Sequence, residues 1–251
     1  MSYTKREVLE VIKMTEVEHF DVRTVTMGIS ILDCASDDPK AAARKVYEKL
    51  VKYGSSLPST VSEVAENLGI RVANRRLAVT PVALVATKPE PESYVTIAKE
   101  IDRAAGEMGF DYVGGFSALV EAGFTRADEA LIAAIPETLT VTSRMCSSLN
   151  VGTTRMGLNM DAVLRTAALI KDTAFRTRER GSIGCAKFVV FTNAVDNNPF
   201  IAGAFHGVGN PEVMIMGGLS GPGVVLDAIR QRGPCDLREL SEVIKKASYK
   251  V

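Results

Sequence analysis

Cys146 and His206 are the two side chains in this sequence best suited to covalent or proton-transfer chemistry. Cys146 opens the run CSSLNVGTTR directly after a strand-like segment. A thiol in a polar turn at a strand's carboxyl end would serve as a nucleophile or a radical relay, with Ser147 and backbone donors holding an anion. The alternative is an inert packed thiol, with the Ser and Thr hydroxyls capping turns. His206 is one of two histidines and lies in AFHGVG, flanked by glycine, on a loop rather than an apolar helical face. Imidazole there would act as acid, base or hydrogen-bond donor near neutral pH, or anchor the loop as a structural residue. His19, beside Glu18 and Phe20, reads as structural.

Around these two stand further polar groups. Asn150 and Arg155 follow Cys146, and the forked guanidinium of Arg155 suits a carboxylate or phosphate. Asn193, Asp196, Asn197, Pro199 and Phe200 open the long segment that leads to His206 and Gly207. Asn and Asp also stabilise turns through their own backbone, so the DNNPF piece alone does not specify a site. Ser220 and Gly221 lie in GGLSGPGVV, where strand, glycine turn and helix start could receive an anion on backbone N–H groups. No Lys follows these glycines, so this is not a P-loop, and the bland alternative is a tight turn with Ser220 as cap. Asp33 and Cys34 in ILDCASDD end another strand and line the same crevice, unless the Asp residues serve only as caps. No His pair or His–carboxylate set recurs at ligand spacing, so no metal site is expected and no cofactor is assigned.

These groups need elements to position them. VRTVTMGISI (22–31) is β-branched and reads as a strand. Asp37, Asp38 and Pro39 start a helix running to about Tyr53, and a second runs from Ser59 or Thr60 to Leu68, stopped by Gly69. RVANRRLAVT and PVALVAT are two extended segments broken by Pro81. Helices are expected over about 92–107, 125–134, 160–177, 223–231 and 236–247, and an amphipathic one over 4–18 with Val8, Val11, Ile12 and Thr15 on one face. Short strands are expected at Asp111–Val113 and Thr138–Thr142, with CSSLNVGTTR as a loop, and FVVF and VMIM as strands flanking the polar segment. Alternation of helix and strand favours a parallel or mixed sheet covered by helices, in one α/β domain over 1–251, with the site at the strands' carboxyl ends.

Composition narrows the partners. Lys plus Arg and Asp plus Glu are equal at 30 each, which argues against nucleic acid and acidic lipid. Aromatic residues make up only 6% with no Trp, so stacking platforms for single strands are not expected. Four scattered cysteines without a CxxC pair suit a reducing cytoplasm. No run approaches the ~18 apolar residues of a membrane span. The expected partner is therefore a small-molecule ligand, and a homo-oligomer or a second chain completing the fold.

Three segments, DVRTVTMGISILDC, CSSLNVGTTRMGLNMDAV and CAKFVVFTNAVDNNPFIAGAFHGVGNPEVMIMGGLSGPGVV, resemble the pyruvate formate-lyase-like proteins of bacteria and archaea, over nearly the whole chain. The resemblance implies a barrel, or an open part-barrel of mixed strands covered by helices, with cysteine-bearing loops reaching toward its centre. It implies the N-terminal part of such a protein and no established reaction. No RVxGY-like glycine motif is present, so glycyl radical activity is not expected. The sequence thus points to an enzyme-like site for an acidic metabolite, with His206 as proton-transfer group, Arg155 as anion partner and the Ser220–Gly223 turn as an anion rest. A metabolite-binding regulator using the same pocket, or an assembly partner of a second chain, is the alternative.

Overall fold

A computed structural model describes residues 4, 5, 9, 12, 13, 16, 21–86, 88–199 and 203–250. Most of the expected 4–18 helix lies outside them, Val8, Val11 and Thr15 included, as do His19 and Phe200.

Apolar period and capping chemistry place most elements where the sequence puts them. Strand β1 (Asp21–Ile29) leads to α1 (Pro39–Gly54), whose first turn is held by Asp38 accepting the Lys40 N–H at 3.1 Å, with Pro39 at the first helical position. Helix α2 (Leu57–Leu68) ends at Gly69, and β2 follows (Val72–Val79). Helix α3 (Pro91–Met108) buries Tyr94, Ile97, Ala98 and Ile101 and precedes β3 (Tyr112–Leu119). Helix α4 (Arg126–Val141) starts with a reciprocal Thr125–Asp128 capping box. Then come β4 (Met145–Thr153), the two-residue β5 (Gly157–Leu158), α5 (Met160–Arg176), the single turn α6 (Ile183–Ala186) and β6 (Phe188–Thr192). Strand β7 (Val213–Ser220) and helices α7 (Pro222–Arg232) and α8 (Leu237–Lys250) follow.

Three local expectations give way. Thr138–Thr142 is the end of α4 and its cap, not a strand. The Thr140 and Thr142 hydroxyls bond back to the carbonyls of Pro136 and Thr138 at 2.7 and 2.6 Å, while Ile135, Thr138 and Leu139 are buried. Packing and these i−4 bonds override the β-branched signal. CSSLNVGT is a buried strand rather than a loop. PVALVAT forms a short 3-10 turn at Val82–Leu84 instead of extending.

The sheet runs in the order β7-β1-β2-β3-β4-β6, with β5 also paired to β4. β1, β2, β3, β4 and β6 are parallel; β7 is antiparallel to β1, with Asp21 opposite Ser220 and Ile29 opposite Val213. Each parallel strand lies beside the previous one, and α1, α3, α4 and α5 pack in succession as one layer. Strand alternation sends Met27, Ile29, Leu77, Val79, Val113 and Leu149 into the core beneath those helices. The described strands form an open sheet: β6 and β7 are its edges and do not pair, so the expected barrel is not closed.

The opposite face is covered by the connection from β6 to β7. Its N–H groups and carbonyls meet the strands one after another: Asn193 N–H to Gly152 O on β4 (2.8 Å), Gly203 O to the Ser148 hydroxyl (2.6 Å), His206 N–H to Val79 O on β2 (3.0 Å), and Glu212 O to Ser30 N–H after β1 (2.9 Å). Ala204 O lies so close over β3 that a Cβ at position 114 would collide with it, which is why Gly114 stands there. We call this connection the strap.

Candidate functional site

His206 is fully buried where the strap crosses β1 and β2. Its Nε2 donates to the Pro211 carbonyl at 2.8 Å, since a carbonyl can only accept, and its Nδ1 faces Asn197 Oδ1 at 2.8 Å. Asn197 holds a left-handed backbone (φ 57°), and its Oδ1 also accepts the Gly207 N–H at 3.3 Å. Both ring nitrogens are therefore engaged inside the strap, and the ring lies against Gly28 of β1, where a Cβ would strike Nδ1. Asp196, exposed, and Asn210 flank Gly207 on the outer side of this turn.

A second polar group gathers at the carboxyl ends of β4 and β6. Asn150 Nδ2 donates to Glu121 Oε2 at 3.0 Å, and its Oδ1 accepts the Ala194 N–H at 3.2 Å. Asn193 Oδ1 accepts from both the backbone and the hydroxyl of Thr154, at 2.8 and 3.1 Å. That pair ties the strap's first residues to the turn joining β4 and β5, which carries Arg155 exposed. Asn159 Nδ2 reaches Val120 O at 2.7 Å. Amides thus join the ends of β3, β4 and β6 into one rim.

Cys146 is buried on the strap side of β4, its Sγ 3.6 Å from Arg144 O. Burial pushes this thiol up to about 11, with the nearby Lys187 and Arg76 cations opposing, so at neutral pH it is a thiol and not the thiolate nucleophilic attack requires. Lys187, lowered by its own burial, donates to Thr142 O at 2.8 Å. Arg76, also lowered by burial, donates to Pro199 O at 3.3 Å. Ser147 is occupied internally, its hydroxyl donating to Phe116 O at 2.6 Å.

At the carboxyl end of β1 an open cleft of about 300 Å³ is lined by Asp33, Cys34, Lys45, Tyr53 and Glu212 around Lys49. Lys49 bonds Asp33 at 2.6 Å and Glu212 at 2.8 Å. Burial alone would lower Lys49, but these bonds outweigh it and raise it. The same contact with Lys49 holds the Asp33 carboxyl below its ordinary range. Cys34 is pushed up to about 11, by burial first and then by the Asp33 charge. Among the described residues no three His, Cys, Asp or Glu side chains group as metal ligands would.

The structure brings Asn150, Asn193 and Arg155 to one rim, and Asn197, His206 and Gly207 to one turn of the strap, with Asp196 beside it. It does not bring Ser220 and Gly221 to them. Because β7 runs against β1, its carboxyl end lies beside Asp21, at the opposite end of the sheet. Gly221, not Ser220, takes the cap position of α7, with no side-chain cap bond. Cys146 and His206 keep separate sets of partners. Sequence reasoning missed Glu121, Arg76 and Lys49. Only Arg76 carried a local signal, a cation alternating with Leu77 and Val79 within a strand.

The DUF711 family, described as "Uncharacterised ACR", matches residues 13–251. A "UPF0210 protein" of Pelotomaculum thermopropionicum is 49% identical over 248 residues, covering 99% of this chain and 55% of its own. "UPF0210 protein" relatives in Desulforudis audaxviator (49% identity, 98% of this chain, 54% of theirs) and Methanosarcina acetivorans (48%, 100% and 54%) match similarly. The chain thus spans about half the length of these curated relatives. Nothing in these matches points to a pyruvate formate-lyase relationship, so that resemblance is corrected, and with it the barrel it implied. By a match extending over nearly all of its length, the chain belongs to the DUF711 family.

Proposed function

We propose that the chain binds a small acidic metabolite at the carboxyl ends of β4 and β6. The observation that carries this reading is the Asn150–Asn193 rim, where Asn193 ties the turn bearing Arg155 to the start of the strap and Asn150 ties that start to Glu121. Arg155 supplies forked donors for a carboxylate or phosphate, and the rim fixes the backbone from which it projects. Carboxyl ends of parallel strands are where α/β sheets place ligands. The reading is one of binding and assigns no reacting group: Cys146 is a buried thiol and the His206 ring is held by Asn197 and Pro211.

Thermal unfolding against a panel of di- and tricarboxylates and phosphate esters tests it. A ligand present at a hundredfold excess over its Kd stabilises the folded state by ~2.7 kcal/mol. One chemical class is expected to raise the midpoint of the wild-type chain, and Arg155→Ala to abolish that rise while melting normally without ligand. A panel that shifts nothing, or a shift unchanged in Arg155→Ala, overturns the site.

A further inference from the structure

The rim that fixes the turn of Arg155 also holds a charge of the opposite sign. Glu121 lies just past the end of β3, and its Oε2 accepts from Asn150 Nδ2 at 3.0 Å. Asn150 is only 4% exposed, and its Oδ1 is taken by the Ala194 N–H at 3.2 Å. One residue back along the strap, Asn193 Oδ1 accepts the Thr154 N–H at 2.8 Å, next to Arg155. A single line of hydrogen bonds thus runs from a carboxylate to the residue beside a guanidinium.

Every group in that line between the two charges is neutral. A buried amide holds a carboxylate in place and leaves its charge intact, whereas a Lys or Arg partner would neutralise it. Among the described residues neither Glu121 nor Arg155 forms an ion pair, with the other or with any third side chain. Arg165, which lies over the ring of Phe124 a little beyond Glu121, is bonded to Glu129 at 3.1 Å instead. We propose that the ligand of this site is an amino acid, its ammonium received by Glu121 and a carboxylate by Arg155. The inference rests on the binding site proposed above and narrows its acidic metabolite to one that carries an amine. Size agrees: Asn150 and Thr153 stand on the order of 10 Å apart along β4, a gap that two long side chains and a bound amino acid can span. A dicarboxylate without an amine would satisfy Arg155 but set a like charge against Glu121.

Titration calorimetry of the full chain with two pairs of probes, glutamate against glutarate and aspartate against succinate, tests the assignment. The members of each pair differ only in the amino group. The wild type is expected to bind the amine-bearing member of a pair roughly tenfold more tightly or better, the scale of a hydrogen bond between charged groups. Glu121→Gln keeps an acceptor for Asn150 and removes the charge. It is expected to melt like the wild type without ligand, to lose the preference for the amine, and to bind the dicarboxylate at least as well as before. Arg155→Ala is expected to weaken both members of the pair. Dicarboxylates that bind as tightly as their amino acids overturn the ammonium contact and leave the acid site standing. A preference for the amine that survives in Glu121→Gln overturns the role of Glu121. Binding of none of the four overturns this inference, while a phosphate ester that stabilises the wild type and not Arg155→Ala would still uphold the site itself.

Discussion

At the scale of single residues, the polar side chains that cross the covered face hold architecture together. The His206 ring spans from Asn197 to Pro211 with no solvent exposure. His206→Ala removes the bond to Pro211 and the contact with Asn197 and leaves a void, and we expect it to cost roughly 2–4 kcal/mol in urea unfolding. A variant as stable as the wild type would mean the ring is not what pins the strap. The thiols give a second prediction. Cys34 and Cys146 are buried, whereas Cys185 and Cys235 are partly accessible. A thiol reagent should modify Cys185 and Cys235 in the native chain, and Cys34 and Cys146 only on unfolding. Prompt native labelling of Cys146 would show the strap opening off β4. The third concerns pH. Asp33 is held below its ordinary value by Lys49, so its contribution is complete above that value and is lost as pH falls through the lowered one. Wild type should therefore exceed Asp33→Asn in stability at neutral pH, with the gap closing in acid. A gap constant with pH would assign the effect to packing.

At the scale of elements, what was legible depended on whether a segment's partners are near it in sequence. Helices α1, α3 and α5 were readable because their period and caps are local: Asp38 to Lys40, Pro91 at the first turn, Asn159 to Ala162. Asn159 also bonds Val120 O, so Asn159→Ala should cost ~1–2 kcal/mol by equilibrium unfolding, and a cost near zero would remove both roles. Strand β4 was misread for the opposite reason. It is buried almost throughout, so it has no polar–apolar alternation to see, and its serines look like turn residues. Their hydroxyls are satisfied by Phe116 O and Gly203 O, 31 and 55 residues away, which no local pattern reveals. The same distance hid Glu121 and Lys49, whose partners are Asn150, Asp33 and Glu212. Loop polarity did lead to Asn150, Asn193 and His206, but not to the fact that β7 carries Ser220 to the other end of the sheet.

At the scale of the whole molecule, five parallel strands wind in one direction with their helices on one side, and one connection closes the other side. That connection is unlike an ordinary surface loop in one respect: its length is fixed. Gly203, Ala204 and His206 each meet a different strand, so one added residue between them would displace the serine contacts, the approach to Gly114 and the imidazole anchor together. Loops usually absorb insertions at little cost because loop entropy changes slowly with length. Here the tolerance divides sharply within a single connection. Insertion beside the exposed Val195 adds slack between the contacts of Ala194 and those of Asn197, whereas insertion at 204–205 shifts a ruler whose marks are set by the spacing of the strands.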